Sequence, residues 1–304
     1  MKIAHESPLF LLEESRTYND YDYALVHLFE EYPEYYAFFI KSLKMGREVI
    51  LDNSVFELET AFDPEAFAAA VKKLLKDSRA DPQLLTYIIP DVLDDGPATV
   101  ASAKAFIKKY KKLPGRKMSV AQGKTMLELQ NCYRDLFPLV DKIGVSFNCK
   151  AYETWFEVMQ PGMPKLLQWV YGRQYFIETL FHARWLSTEK PMHLLGIALP
   201  NEYGYYTRNH AELGRFIDSA DTSNPVVHGM LGIRYNPVFG LEEKKSLKLA
   251  DMIDADRNSC DINAIRFNIK VFRALNNLRP TTSGEAAGNQ LNNIIISVGK
   301  NTHE

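Results

Sequence analysis

The sequence predicts a single α/β barrel of the (β/α)8 kind with a helical C-terminal extension, and three observations carry that prediction. Short β-branched runs alternate with longer segments of helical period, as expected for parallel strands joined by crossover helices. Eight such runs can be counted, the number that closes this barrel. A chain of 304 residues, 46% hydrophobic and 24% charged, suits one domain of that size and can bury a large core.

Taken in order, the strands are expected at Tyr23–Phe29, Glu48–Asp52, Leu85–Asp91, Lys117–Gln122, Lys142–Asn148, His193–Leu199, Phe216–Asp221 and Val227–Tyr235. Helical stretches lie between them at Pro64–Lys76, Ala98–Lys111, Thr125–Phe137, Pro164–Trp185 and His210–Gly214, several opened by Asp-Pro or Gly-Pro signals. The stretch Tyr152–Gly162 reads as an insertion at the barrel mouth, so strict eightfold regularity is not expected. Residues 1–236 form the barrel domain in this reading. Residues 237–304 form the extension, with helices at Glu242–Ala255 and Asp261–Leu278 and a polar tail from Pro280 to Glu304.

Composition narrows the function classes. Cys132, Cys149 and Cys260 are far apart and form neither a CxxC pair nor an even set, so reduced thiols and a cytoplasmic setting are expected. Met1 to Ser15 lacks a basic segment followed by an apolar core, and nowhere do about 18 apolar residues run together, so no membrane association is expected. A net charge of −2 gives no global sign of nucleic-acid binding, although a local basic face can sit inside a neutral total.

The informative feature is positional. Asp52 ends Val-Ile-Leu-Asp, Asp91 ends Tyr-Ile-Ile-Pro-Asp, Gln122 ends Ser-Val-Ala-Gln, and Asp221 ends Ile-Asp-Ser-Ala-Asp. Each closes an expected strand, and the C-terminal ends of barrel strands converge on the rim where such enzymes place their chemistry. A single Asp after a strand is as readily a helix cap or turn residue, but four polar residues at one mouth are harder to explain that way. Asp94, Asp95 and Asp218 are given structural roles, with Asp94 or Asp95 capping the helix near Gly96-Pro97. Phe56 and Tyr87 are candidate stacking residues, Tyr87 more readily a core residue because it lies mid-strand.

The pieces Leu-Asp-Asn-Ser-Val-Phe-Glu (51–57), Pro-Asp (90, 91), Val-Ala-Gln-Gly (120–123), Ile-Gly-Val-Ser (143–146), His-Leu-Leu-Gly-Ile-Ala (193–198) and Ser-Ala-Asp-Thr-Ser (219–223) resemble, in order and spacing, the tRNA-guanine transglycosylase family. The short chain is most similar to the compact viral 7-deazaguanine DNA transglycosylases of that superfamily, a bacteriophage-type branch acting on guanine in DNA. The resemblance implies a glycosyltransferase in which Asp221 is the nucleophile and Asp52 the general acid and base. Asp91 would read the N1 and exocyclic amine edge of the purine, and Gln122 and the Gly144 backbone its carbonyl side. Gly196 and Phe56 complete the implied substrate contacts. The implied partners are DNA, with the target guanosine single-stranded or flipped out, and a free 7-deazaguanine base such as the 7-cyano form, preQ0.

Two departures bear on this. The family's Cys-x-Cys-x-x-Cys plus His zinc subdomain is missing, since only Cys260 lies in the C-terminal region and the late histidine is His303, so neither a metal nor another cofactor is expected. The family's Asp-Ser-Gly-Gly-Phe-Gln loop is here Asp52-Asn53-Ser54-Val55-Phe56-Glu57. For gripping the nucleic-acid backbone, Arg266, Lys270 and Arg273 lie on one side of the last helix, against the alternative of a solvated stripe balancing Asp254, Asp256 and Asp261. Tyr203, Tyr205 and Tyr206 are read as a stacking platform or as loop packing, and His228 and Arg234 as weak phosphate candidates. The run Lys108, Lys109, Lys111, Lys112, Arg116 and Lys117 falls at the opposite end of the barrel and is taken as a solvated face.

The competing readings are transglycosylation of tRNA, an inactive nucleic-acid-binding barrel and a metal-dependent barrel hydrolase. The last would show histidine pairs at strand ends, and none of the seven histidines is so placed in this reading. A monomer is the favoured state because the family pairs through surfaces near the missing zinc subdomain.

Overall fold

In a computed structural model, residues 1–59, 63–241 and 243–278 are described. Eight strands form one all-parallel sheet: β1 (Lys2–His5), β2 (Asp22–Leu25), β3 (Val49–Asp52), β4 (Leu85–Ile88), β5 (Arg116–Ala121), β6 (Lys142–Ser146), β7 (Met192–Leu195) and β8 (Ile217–Thr222). Their order is β1-β8-β7-β6-β5-β4-β3-β2, which rolls the sheet into a nearly closed (β/α)8 barrel. The strands are short and buried on both faces, as crossover helices outside and side-chain layers inside require.

The longer helices are α1 (Pro33–Lys44), α2 (Pro64–Ser78), α3 (Gly96–Lys109), α4 (Met126–Leu136), α5 (Lys150–Met159), α6 (Lys165–His182), α7 (Asn224–Met230) and α8 (Ile262–Leu275). Local chemistry starts several of them. Asp63, Asp95, Thr125 and Asp261 each accept a first-turn amide, and proline fills the first turn of α1, α2 and α3. Asp95, as the sequence suggested, is the cap of α3. Asp94 instead accepts the Lys150 amide at 3.1 Å and so fixes the start of α5.

Three expected elements are corrected. The first strand lies at Lys2–His5, a four-residue run too short and mixed to stand out, and the expected run Tyr23–Phe29 shortens to β2 because residues 28–31 turn helical. The expected eighth strand, Val227–Tyr235, is absent. Its first half belongs to α7, all seven residues of which are buried, so no amphipathic period separates helix from strand there. The expected helix Glu242–Ala255 is also absent. From residue 243 the chain runs irregularly to a single 3₁₀ turn, Ala250–Met252, because it lies over the barrel mouth. The expected insertion at 152–162 is α5, which packs beside α6. The tail expected from Pro280 to Glu304 lies outside the described residues.

The seam between β1 and β2 is closed by side chains and one backbone bond, from the Asp20 amide to the Ile3 carbonyl at 3.0 Å, rather than by a ladder. The Ile3 and His5 amides donate to Asp20 Oδ2 and Asn19 Oδ1 at 2.9 and 2.7 Å, while Asn19 Nδ2 returns a bond to the His5 carbonyl. The extension docks through α8 on α7. At that crossing Gly229 approaches so closely that a Cβ would stand 2.4 Å from Ile265 Cα.

Candidate active site

At the C-terminal ends of the strands a cavity of about 440 Å³ opens under the 244–250 segment. Asp52, Asp221, Gly196 and Phe56 line it, together with Glu6, Tyr23, Glu57, Phe147 and Trp169. Four of the residues picked from the sequence therefore meet at one mouth.

Asp221, on β8, is 4% exposed and held by neutral donors. Its Oδ1 lies 3.0 Å from His193 Nε2, and its Oδ2 accepts the Gly196 amide at 3.1 Å. Gly196 is left-handed at φ 65, the backbone turn that aims its N–H at the carboxylate, and glycine adopts it without strain.

Asp52, at the end of β3, sits in a different setting. Its Oδ1 accepts the Ser54 amide at 2.5 Å and its Oδ2 accepts the Tyr23 hydroxyl. Burial, reinforced by the nearby Glu57 carboxylate, raises its pKa well above the usual aspartate value. Glu6 and Glu57 are raised for the same first reason, with further carboxylates adding to the effect and Lys244 opposing it. Ser54 takes the left-handed conformation, φ 62, at a position where such a backbone costs a non-glycine residue on the order of 1 kcal/mol. The strain sits next to Asp52 and turns the Ser54 amide onto it.

Asp91, Gln122 and Gly144 lie beside the cavity rather than along it. Asp91 Oδ1 accepts Asn53 Nδ2 at 2.8 Å and Oδ2 accepts Gln122 Nε2 at 2.7 Å. Burial raises the Asp91 pKa, and those two amides oppose the rise. Each Asp91 oxygen thus already holds one side-chain amide donor. Gly144 lies under Leu195, where a Cβ would meet the leucine Cδ1 at 2.6 Å.

The expected backbone grip on the last helix is not presented to this mouth. Arg266 is paired with Glu14 through bonds of 2.6 and 2.8 Å. Arg273 donates to the Tyr18 carbonyl and to Asp20, near Met1 and Lys2 at the strands' N-terminal end, with half-buried Lys270 between them on α8. Intramolecular carboxylates and carbonyls take up both arginines, and Arg273 stands at the far end of the barrel. The tyrosines also pack: Tyr203 and Tyr206 are buried and Tyr205 bonds Glu178. Tyr87 is wholly buried, His228 bonds the Asn224 carbonyl, and Arg234 lies 3.7 Å from Asp261.

The cations at the mouth come from the covering segment instead. Lys248 Nζ donates to the Phe56 and Glu57 carbonyls, both at 3.1 Å, which ties the segment to the Asp52 loop. Lys245 pairs with Glu243. Lys244 is an exposed residue that also lines the cavity, its ammonium 5.0 Å from the centre of the Phe147 ring, and desolvation there holds its pKa below the lysine value. Phe56, Phe147 and Trp169 give the cavity aromatic walls.

Several site residues escaped the sequence reading. Glu6 directly follows β1, at the same rim where Asp52 ends β3, and it was missed with that strand. Trp169 sits on α6 far along the chain. His193 is the most consequential: it is fully buried mid-strand, stacked on Tyr23 at 5.9 Å, and bonded to Asp221. Its one sequence signal is a histidine inside an apolar run, which more often marks a satisfied core residue.

Below the 195–196 turn lies a fully buried ion pair. Arg173 Nε donates to Glu202 Oε1 at 2.7 Å, and Nη1 donates to the Leu195 and Val145 carbonyls at 2.8 and 3.3 Å. Burial pushes the Glu202 pKa up to about 7. Arg173→Met would leave Glu202 without its partner, and the expected destabilisation is about 3–5 kcal/mol by urea unfolding. Arg173 holds the Glu202 pKa down, so without it that pKa rises further and the variant goes on losing stability with rising pH where the parent has stopped, and the deficit should grow from pH 6 to 8. A deficit independent of pH would refute this account, and adding Glu202→Gln should recover much of the loss.

Among the described residues, no group of three His, Cys, Asp or Glu side chains is arranged to hold a metal ion, and no helix is long and apolar enough to cross a membrane. No protein-family model matches the chain, and no curated protein matches it.

Proposed function

We propose that this chain is a base-exchange transglycosylase that replaces guanine in DNA with a 7-deazaguanine through a covalent Asp221–sugar intermediate. The observation carrying this reading is the pair Asp221 and Asp52. Two buried carboxylates face one cavity in environments that separate their roles, Asp221 among neutral donors and Asp52 raised by burial and a neighbouring acid. Such a split is how one site supplies a nucleophile and a proton donor at the same pH.

In the first half-reaction an Asp221 oxygen bonds C1′ of the target nucleoside as the C1′–N9 bond breaks. The electron pair leaves with guanine, and protonated Asp52 supplies the proton that neutralises it. In the second half-reaction Asp52, now a carboxylate, takes the proton from the incoming base. The nitrogen so freed bonds C1′ and Asp221 departs. The aromatic walls suit a flat heterocycle, and Lys244 and Lys245, which line the same cavity, supply cations suited to a phosphate flanking a flipped nucleotide.

The test is release of label from 8-labelled guanine in single-stranded DNA, duplex DNA and tRNA, with a 7-deazaguanine added. Release from DNA but not tRNA is expected. Release from tRNA alone would assign the same chemistry to tRNA, and no release from any substrate across several bases would leave a non-catalytic barrel as the better reading.

A further inference from the structure

The candidate nucleophile is the last member of a hydrogen-bonded chain that crosses the barrel interior. Lys142, near the N-terminal end of β6, is buried with a side chain 4% exposed. Its ammonium donates to Asp218 Oδ2 at 2.6 Å and to Ser219 Oγ at 3.3 Å. Ser219 Oγ lies 3.0 Å from His193 Nδ1, and His193 Nε2 lies 3.0 Å from Asp221 Oδ1. The backbone explains the alignment. His193 of β7 is registered with Ser219 of β8, and Ser219 and Asp221, two apart on one strand, point to the same face.

Donor bookkeeping gives the chain a direction. Lys142 has only protons to offer while it is paired with Asp218, so Ser219 Oγ accepts from it and turns its own proton toward His193 Nδ1. An accepting Nδ1 leaves the proton on Nε2, facing Asp221. The opposite tautomer would set a lone pair against the carboxylate. The doubly protonated ring is disfavoured because His193 is wholly buried, which lowers its pKa.

We propose that His193 is a positioning residue for Asp221, fixed by Lys142 and Ser219 as the neutral tautomer with its proton on Nε2. The tautomer follows from the hydrogen-bond geometry alone; its catalytic consequence rests on Asp221 being the nucleophile. The His193 N–H holds Oδ1 and the Gly196 amide holds Oδ2, so one donor on each oxygen fixes the plane of the carboxylate toward an incoming C1′. In the sugar ester the oxygen not bonded to C1′ becomes the carbonyl oxygen and keeps its N–H donor. The same N–H then favours departure of Asp221 as a carboxylate when the second base attacks.

Long-range ¹H–¹⁵N spectra of the full chain labelled at histidine test the tautomer directly at pH 7. The parent should show a protonated Nε2 and an unprotonated Nδ1 at His193. Asp221→Ala should keep that pattern, since Lys142 and Ser219 remain, whereas Asp221→Ala combined with Lys142→Met should admit the Nδ1-protonated form. An imidazolium or Nδ1–H in the parent, or a switch in Asp221→Ala alone, would overturn the proposal. In the label-release assay, His193→Leu should lower kcat on the order of 10²-fold, the size of losing one preorganised donor, with KM little changed. His193→Gln, which can still place an N–H near Oδ1, should recover part of it. A kcat within about threefold of the parent in His193→Leu, on the scale of that same donor loss, would remove the positioning role. A parent chain without activity would overturn the transglycosylase reading instead, while the spectra still decide the tautomer.

Discussion

Asp221→Ala is expected to reduce guanine release by a factor on the order of 10⁴ or more, the scale seen when a nucleophile that acts with partners is removed. The covalent protein–DNA adduct, trapped by acid quench and read by mass spectrometry, should disappear with it. The fold should survive, because the substitution deletes a side chain at a cavity wall rather than in packed core. The cost is that His193 Nε2 and the Gly196 amide lose their acceptor, about 1–3 kcal/mol on the usual scale for an orphaned buried donor. Thermal melting therefore separates loss of chemistry from loss of structure. Retention of release within tenfold, a loss of no more than about 1.4 kcal/mol in transition-state free energy, would move the nucleophile to another cavity carboxylate, with Glu6 the first to examine.

Asp52→Asn is expected to lower base exchange by about 10²–10⁴-fold, the range for a positioned acid–base group. It should also make the protein more stable than the parent at alkaline pH. Asparagine can keep both local bonds, its oxygen on the Ser54 amide and its NH₂ toward the Tyr23 oxygen. Asp52 has a folded-state pKa above its unfolded value, so its contribution is intact below the ordinary aspartate range and is lost as pH rises through the folded pKa. The melting-temperature difference between variant and parent should widen as pH is raised from 5 to 8. A difference that is flat or narrows would mean that Asp52 is not destabilised as a carboxylate in this cavity.

The sequence made the barrel legible because strand and crossover helix have different periods, and the repeated alternation survived errors in single elements. The polar strand ends were legible for a related reason: a short buried strand that stops at Asp or Gln announces its rim. Asp52 and Asp221 were found this way, Gly196 and Phe56 only through the family resemblance, and all four share the cavity. What failed were signals without period. The α7 run is buried all round and so reads as strand or helix equally well, and β1 offers four residues. The basic stripe on α8 was read correctly as one side of a helix, but its side faces Glu14, Tyr18 and Asp20, which no local pattern reveals. Lys244 and Lys248 were hidden by the opposite error, a helix assigned to a segment that instead crosses the mouth.

The β1–β2 seam gives the barrel a line of weakness with a definite address. Every other strand junction is a ladder of backbone bonds, whereas this one is clipped by the Asn19 and Asp20 side chains and by a single backbone bond from the Asp20 amide to the Ile3 carbonyl. Opening there parts β1 from β2 while every strand pair, β1·β8 included, stays intact. On that far side, Ala4 is registered with Asp221. The barrel wall can thus breathe one strand away from Asp221, so the groups that make the seam tight also help hold that carboxylate still.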